Sequence, residues 1–246
     1  GNTWTKQTSS LPSSARQLGP QAENVSAASF ANGQFFVLGI YGSITNSTDG
    51  VTVTRRSTGT VNDLGAVIHD GSKFIASGSG GTILTSTNGT TWTSVTTGST
   101  ADFNKLASNG TRFVAAGFSG IYQSTNLTAW TTVSGTTFDR YVGLAYGNSR
   151  FVAAYSATAL GTRTSADGIT WTTANNIANT GGSTVGLAFG DGVFVILTGG
   201  FGASTKILSS TDGIAWTDRS PTGLSSNVSF DSLAFGGGRF VALTFD

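Results

Sequence analysis

Ser165-Ala166-Asp167-Gly168-Ile169-Thr170-Trp171 and Ser210-Thr211-Asp212-Gly213-Ile214-Ala215-Trp216 are two copies of one phrase. Looser copies precede them: Ser47-Thr48-Asp49-Gly50 with Val53, Ser86-Thr87-Asn88-Gly89 with Trp92, and Ser124-Thr125-Asn126-Leu127 with Trp130. Asp and Asn bond their own backbone two residues on, and Gly accepts positive φ, so each phrase reads as a turn between two short strands. A second phrase runs ahead of each: Gly33-Gln34-Phe35-Phe36-Val37, Gly71-Ser72-Lys73-Phe74-Ile75, Gly110-Thr111-Arg112-Phe113-Val114, Asn148-Ser149-Arg150-Phe151-Val152 and Gly192-Val193-Phe194-Val195, with a sixth copy at Gly238-Arg239-Phe240-Val241. Aligned on Phe36, Phe74, Phe113, Phe151, Phe194 and Phe240, the copies stand 38 to 46 residues apart. That is the period of four-stranded propeller blades and not of helical hairpins.

The turns divide each repeat into strands A to D. Asn32-Gly33, Asp70-Gly71 and Asn109-Gly110 are expected to join A to the Phe-Val strand B as tight hairpins, and the Ser-Asp-Gly phrases to join C to D. Strand A carries small residues at Ala107, Ala145, Ala188 and Ala234, as the innermost strand must where blades converge on an axis. No segment holds a 3.6-residue apolar period. The reading is all-β: one domain over 1–246, a six-bladed propeller of four-stranded blades. Asn2-Thr3-Trp4-Thr5 reads as a strand D that pairs with the C-terminal strands and closes the ring, removing open sheet edges. Complete repeats place 17 to 22 residues between Phe and the Trp position, whereas Phe240 to Asp246 plus Gly1 to Trp4 supplies 10. The last blade is then three-stranded, or completed by further chain or by another molecule.

Composition excludes several classes. Lys and Arg number 13 against 12 Asp and Glu, so the chain has no basic field for nucleic acid or anionic lipid. No apolar run approaches the roughly 20 residues of a membrane span. With no Cys and one His, disulfides, thiol catalysis and Cys zinc sites are out and a His metal cluster has few routes, so neither a metal nor another cofactor is expected.

At the Ser-Asp-Gly-Trp phrases the chain resembles the Asp-box propellers, the bacterial-neuraminidase-repeat group of sialidases and many non-enzymatic extracellular and viral proteins. The likeness extends over nearly all of the chain. It implies that Ser and Asp satisfy the C-to-D turn while Trp packs between blades, on the face opposite the one where propellers bind ligand. The boxes here are one residue shorter, with Gly directly after Asp or Asn. The resemblance also implies an alternative, a sialidase-like glycoside hydrolase, which would need three arginines on a carboxylate, a Tyr activated by Glu, and an acid/base Asp. Glu23 is the one Glu, in a Pro-containing loop without a motif, and the Asp residues form no distinctive pair. His69 sits at an ordinary strand A position, no nucleophile elbow surrounds a Ser, and the Gly-rich stretches at 78–81 and 199–202 lead into no helix that would cradle a phosphate. The reading is therefore not an enzyme.

The D-to-A and B-to-C loops share the funnel face and vary between blades. Phe103, Tyr141 and Phe230 align with one another, as plugs between blades would. Arg16, Arg140, Tyr155 and Phe201 have no counterpart in other repeats and are the candidate ligand-binding residues. Aromatic faces beside amides and carboxylates suit a glycan or a protein partner. Low charge, the absence of Cys and Met, and the resemblance together point to a recognition or structural module at an extracellular or virion surface, such as part of a phage tail or fibre, associated with other chains or a larger polypeptide.

Overall fold

The computed structural model describes residues 25–136, 139–156, 160–174, 177, 183–199, 205–222, 224 and 229–245. Blade 1 holds β1 (Val25–Ala31), β2 (Gln34–Gly39), β3 (Ile44–Ser47) and β4 (Thr54–Arg56). β5 (Leu64–His69), β6 (Phe74–Gly78), β7 (Ile83–Ser86) and β8 (Thr93–Val95) form blade 2. Blade 3 follows with β9 (Lys105–Ser108), β10 (Phe113–Gly117), β11 (Gly120–Ser124) and β12 (Thr131–Thr132). In blade 4 are β13 (Arg140–Gly147), β14 (Arg150–Ser156), β15 (Leu160–Ser165) and β16 (Thr172–Ala174). β17 (Ser183–Gly190), β18 (Val193–Gly199), β19 (Lys206–Ser210) and β20 (Thr217–Asp218) make blade 5, and β21 (Ser229–Gly236) with β22 (Arg239–Phe245) forms a two-stranded sheet. The chain is thus an all-β propeller of antiparallel meanders, and five blades, not six, are four-stranded among the described residues. The two-stranded sheet holds the sixth place in the ring, with β21 beside both β17 and β1. Trp4 and the closure drawn through it lie outside the described residues.

The first strands stand side by side around the axis in the order β1, β5, β9, β13, β17, β21, and β21 returns to β1. Three residues of each line one central cavity of about 330 Å³, among them Ser29, Ile68, Ala107, Ala145, Ala188 and Ala234. At one mouth, Phe189 lies over Gly147 and Phe235 over Gly190, where any Cβ would run into the ring, and Phe30 lies within van der Waals reach of Gly236. The inner ring therefore closes through β1 and β21.

Two kinds of A-to-B turn occur. Asn32 and Gly33 both have positive φ, as do Asn148 and Ser149, Asp191 and Gly192, and Gly237 and Gly238, giving two-residue hairpins of the kind that suits strand twist. Asp70 and Asn109 instead open four-residue loops: the Asp70 N–H donates to the Lys73 carbonyl, and its Oδ1 accepts from the N–H groups of Ser72 and Lys73. Asn109 repeats this with Thr111 and Arg112. The two extra residues shift the phrase by one. The counterpart of Phe74 is therefore Phe35 and not Phe36, since Phe35 pairs with Phe30 and Ser47 as Phe74 pairs with His69 and Ser86. By the same register His69 matches Phe30, not Ala31.

Each C-to-D turn is built by one carboxylate or amide. Asp167 Oδ1 accepts from the N–H groups of Ile169 and Thr170, both at 2.8 Å, and from Ser165 Oγ, which accepts the Gly168 N–H. The same bonds recur at Asp49, Asn88, Asn126 and Asp212. The backbone of Gly168 and Gly213, at positive φ, rests on Val114 and Val152 of the preceding blade, leaving no room for a side chain. Leu127 replaces this glycine in the third box and adopts φ 70° with its side chain buried. The box tryptophans help fill the joint to the preceding blade: Trp92 is buried 6.0 Å from Phe36, and Trp130 lies tilted at 4.6 Å against Phe103 in the linker ahead of β9.

Two outcomes follow from this packing. Trp92→Ala should cost about 3 to 5 kcal/mol in equilibrium urea unfolding through the cavity it leaves, while Val53→Ala at the equivalent, exposed position should stay within about 0.5 kcal/mol. The second concerns pH. The N–H groups of Thr170 and Ile169 hold Asp167 down at about 2, those of Thr52 and Val51 lower Asp49, and that of Ile214, followed by Ala215, lowers Asp212. A folded pKa below the unfolded one means stabilisation that is complete above the unfolded value and is lost as pH falls through the folded one. The urea midpoint should be level from pH 7 to about 4.5 and drop between about 4 and 2. The drop should be shallower in Asp167→Asn and steeper in Asn88→Asp.

Candidate binding face

Antiparallel order puts the B-to-C loops and the D-to-A linkers at the same end of every blade, and hydrogen bonds between them fasten that end. Asp63, just ahead of β5, does the most. Its Oδ1 accepts the Tyr41 N–H of blade 1 at 3.1 Å, and its carbonyl accepts the Ser79 N–H of blade 2 at 2.9 Å. Asp102 accepts the Gly80 N–H at 3.1 Å, one blade on. Thr58 and Thr97 donate their hydroxyls to the carbonyls of Gly42 and Gly81, both at 2.8 Å. These bonds take up backbone groups that short loops would otherwise leave to water. Tyr41 is consequently held at φ 56°, in the left-handed region, with 74% of its surface exposed.

Arg140, the first residue of β13, lays its guanidinium 5.0 Å from the centre of the Phe118 ring, which is 52% exposed in the B-to-C loop of blade 3. The pair spans the joint between blades 3 and 4 and presents both charge and ring to solvent. Tyr155 lies deeper in that joint. It is buried, 6.0 Å edge-on from Tyr141, with Arg163 over its ring at 5.4 Å. Arg163 in turn donates from Nη2 to Asp139 Oδ2 at 2.8 Å, and the Tyr141 hydroxyl donates to the same oxygen at 3.3 Å. Burial, with Asp139 beside it, pushes the Tyr141 phenol up and keeps it protonated. Burial works most strongly against the charge on Arg163, but the Asp139 hydrogen bond together with the electrostatic pull of Tyr141, Asp139 and Tyr155 outweighs it, and the pKa is raised.

Of the four candidate residues, Arg140 stands on the exposed face and Tyr155 beneath it, while Arg16 and Phe201 lie outside the described residues, as does Glu23. Phe103, Tyr141 and Phe230 are all buried, as plugs between blades. His69 is at the opposite end, its Nδ1 accepting the Gly71 N–H and its ring edge-on to Phe74 at 4.8 Å. Arg163 was missed by sequence reasoning. It stands two residues ahead of a box Ser, where blades 2, 3 and 5 place Leu84, Tyr122 and Leu208, and a charge in that row was a legible sign of a buried partner.

No protein-family model matches the sequence, and no curated protein matches it. Solved structures match in fold. A structure of YCF48 bound to D1 peptide superposes with a TM-score of 0.64 at 16% identity, covering 99% of this chain and 81% of that one. A propeller chain of a nidogen/laminin complex gives 0.64 at 10% identity, with 86% of each chain covered. The Pan2 WD40 domain of Neurospora crassa gives 0.64 at 16%, with 90% of this chain and 72% of that one covered. At such identities the likeness establishes a propeller fold.

Asp139→Ala should strand the Arg163 guanidinium in the joint between blades 3 and 4. A fully buried pair broken in this way costs about 3 to 5 kcal/mol. Because the two side chains keep 18% and 17% of their exposure, a loss on the order of 2 kcal/mol is expected in urea unfolding. Recovery in Asp139→Ala combined with Arg163→Leu would assign the loss to the stranded charge.

Proposed function

We propose that the chain is a non-catalytic protein-interaction propeller that grips a segment of a protein partner on the face carrying Tyr41, Phe118 and Arg140. The observation that carries this reading is the presentation of exposed aromatic rings, Tyr41 on a loop fastened by Asp63 and Phe118 beneath the Arg140 guanidinium. Tyr and Arg anchor interfaces far more often than their abundance warrants, and rings fixed in advance lose little entropy on binding. In this reading Arg16 and Phe201, which the sequence repeat assigns to loops of the same kind, belong to the same surface. The structural neighbours support a peptide or protein ligand over a glycan: one is bound to D1 peptide, another stands in a complex with laminin.

A sialidase-like hydrolase is disfavoured because Arg163, beside the face, is taken up by Asp139 and Tyr155. Kinship with the Asp-box propellers is part of the reading, supported by the shared Ser-Asp-Gly turn. So is a secreted or virion-surface setting, supported by the low charge and the lack of Cys. In the same reading Asn2-Thr3-Trp4-Thr5 serves as an outer strand of the sixth blade.

The test is selection of a displayed peptide library on the isolated chain, followed by titration of the selected peptides against variants. Arg140→Ala and Phe118→Ala should each weaken binding about tenfold or more without lowering stability. Asn148→Ala, on the opposite face, should leave it unchanged. Selected peptides indifferent to both substitutions, or a specific hit on a glycan array in place of any peptide, would remove this function.

A further inference from the structure

Where the inner strands rise from the central cavity toward the funnel face, one row of residues is small on every strand but one. Ala27, Ala66, Gly143, Gly186 and Ser232 stand opposite Leu38, Ser77, Ala154, Leu197 and Leu243 of their second strands. In blade 3 the same place, opposite Ala116, is held by Lys105. The next residue of each strand, Leu106 in blade 3, already lines the cavity, so Lys105 stands at its funnel-side mouth. Gly143 and Gly186 face Leu187 and Leu233 of the following inner strand. In the same register the stem of Lys105 is directed at β13.

An ammonium withdrawn from water is costly unless an anion or several acceptors take it up. Among the described residues no hydrogen bond or ion pair reaches Lys105, and burial pushes its pKa down with no carboxylate to counter it. The chain's carboxylates are engaged elsewhere. Asp49, Asp167 and Asp212 build box turns, and Asp70 and Asp191 stand in turns between first and second strands, all at the opposite end. On the funnel side Asp63 and Asp102 accept the Tyr41 and Gly80 N–H groups, Asp139 holds Arg163, and Asp218 lies 3.4 Å from Lys206. Glu23, Asp231 and Asp246 complete the set of 12, and their side chains lie outside the described residues. A second cation stands above Lys105. Arg140 opens β13 opposite Ser156, nearer the face than Gly143 opposite Ala154, and its guanidinium has the Phe118 ring and no carboxylate among the described residues. The two cations mark one line of descent from the rim to the cavity mouth.

We propose that the funnel face is selective for an acidic peptide, one Glu or Asp side chain of which passes Arg140 and ends on the Lys105 ammonium. The inference rests on the reading of this face as a peptide-binding surface and adds the chemistry of its anchor. A charge-assisted hydrogen bond in a place with little water separates a carboxylate from an amide of the same shape, which an exposed lysine does not. The row of small residues leaves the mouth open to such a side chain, and the one long residue in it supplies the donor.

The probes are two pools of fluorescent, C-terminally amidated nonapeptides, alike but for a central Glu or a central Gln and with no other acidic residue. Titrated into the whole chain, the Glu pool should bind about tenfold or more tightly than the Gln pool. That preference should disappear in Lys105→Met. The same variant should raise the urea midpoint, because an unpaired ammonium no longer has to leave water. A lowered midpoint would mean that the free protein already pairs this charge, and it overturns the proposal. Equal binding of the two pools, or a preference indifferent to Lys105→Met, overturns it as well while leaving the peptide-binding face standing. Absence of binding by either pool at millimolar peptide removes both. A preference that emerges only in Glu23→Gln or Asp231→Asn would make a carboxylate of this chain the occupant and likewise overturns the proposal.

Discussion

No blade of this protein can bury itself. The side chain that opens the second strand toward the next blade finds its cover in that blade's box turn: Phe36 under Gly89 and Trp92, Val114 under Gly168, Val152 under Gly213. Each sheet has two apolar faces and a thickness of one chain, so the free energy of burial is realised only between neighbours. Closure into a ring is the arrangement that leaves no terminal face. The rest of the molecule serves this requirement: small residues admit the inner strands to the axis, and glycines let a backbone lie directly on the sheet behind it.

The boxes link this apolar packing to polar chemistry. A turn lying on a neighbour's surface cannot hand all its N–H groups to water, so a side chain two or three residues back accepts them. Asp and Asn do this with the same geometry, and the carboxylate adds charge-assisted bonds that keep it ionised. The loops at the other end solve the same problem differently, with Asp63 and Asp102 reaching across from linkers. In blades 1 and 2 one end is thus stabilised within its own turn and the other by the linker of the next blade. The second arrangement leaves aromatic side chains pointing outward.

Much of this was legible in the chain. The all-β class, the period, the box turns and the small first strands were all readable, because a repeat states each structural position several times and chance agreement cancels. What misled was local. Phe35-Phe36 offers two aromatics where one is diagnostic, and only the hairpin lengths reveal which is in register. Asp70-Gly71 and Asn109-Gly110 look like two-residue turns, yet the side chains of Asp70 and Asn109 favour a longer loop that satisfies two more N–H groups. The face was harder. Arg140 was legible as an unrepeated residue, but whether Tyr155 faced solvent or the joint depended on Arg163 and Asp139, which meet only in three dimensions.

The two hairpin lengths also divide the cavity mouth. Blades with the two-residue turn carry an aromatic one residue before the end of their first strand, Phe30, Tyr146, Phe189 or Phe235, each 4.7 Å from the Phe at the second position of the next strand. Blades 2 and 3, with the longer loops, bring His69 and Ser108 to the same rim. Four of the six rim positions are therefore aromatic, and the other two, His69 and Ser108, lie side by side in one arc. A ring of near-identical units has in this way acquired a front and a back around its own circumference, through nothing more than two added residues in two adjacent turns.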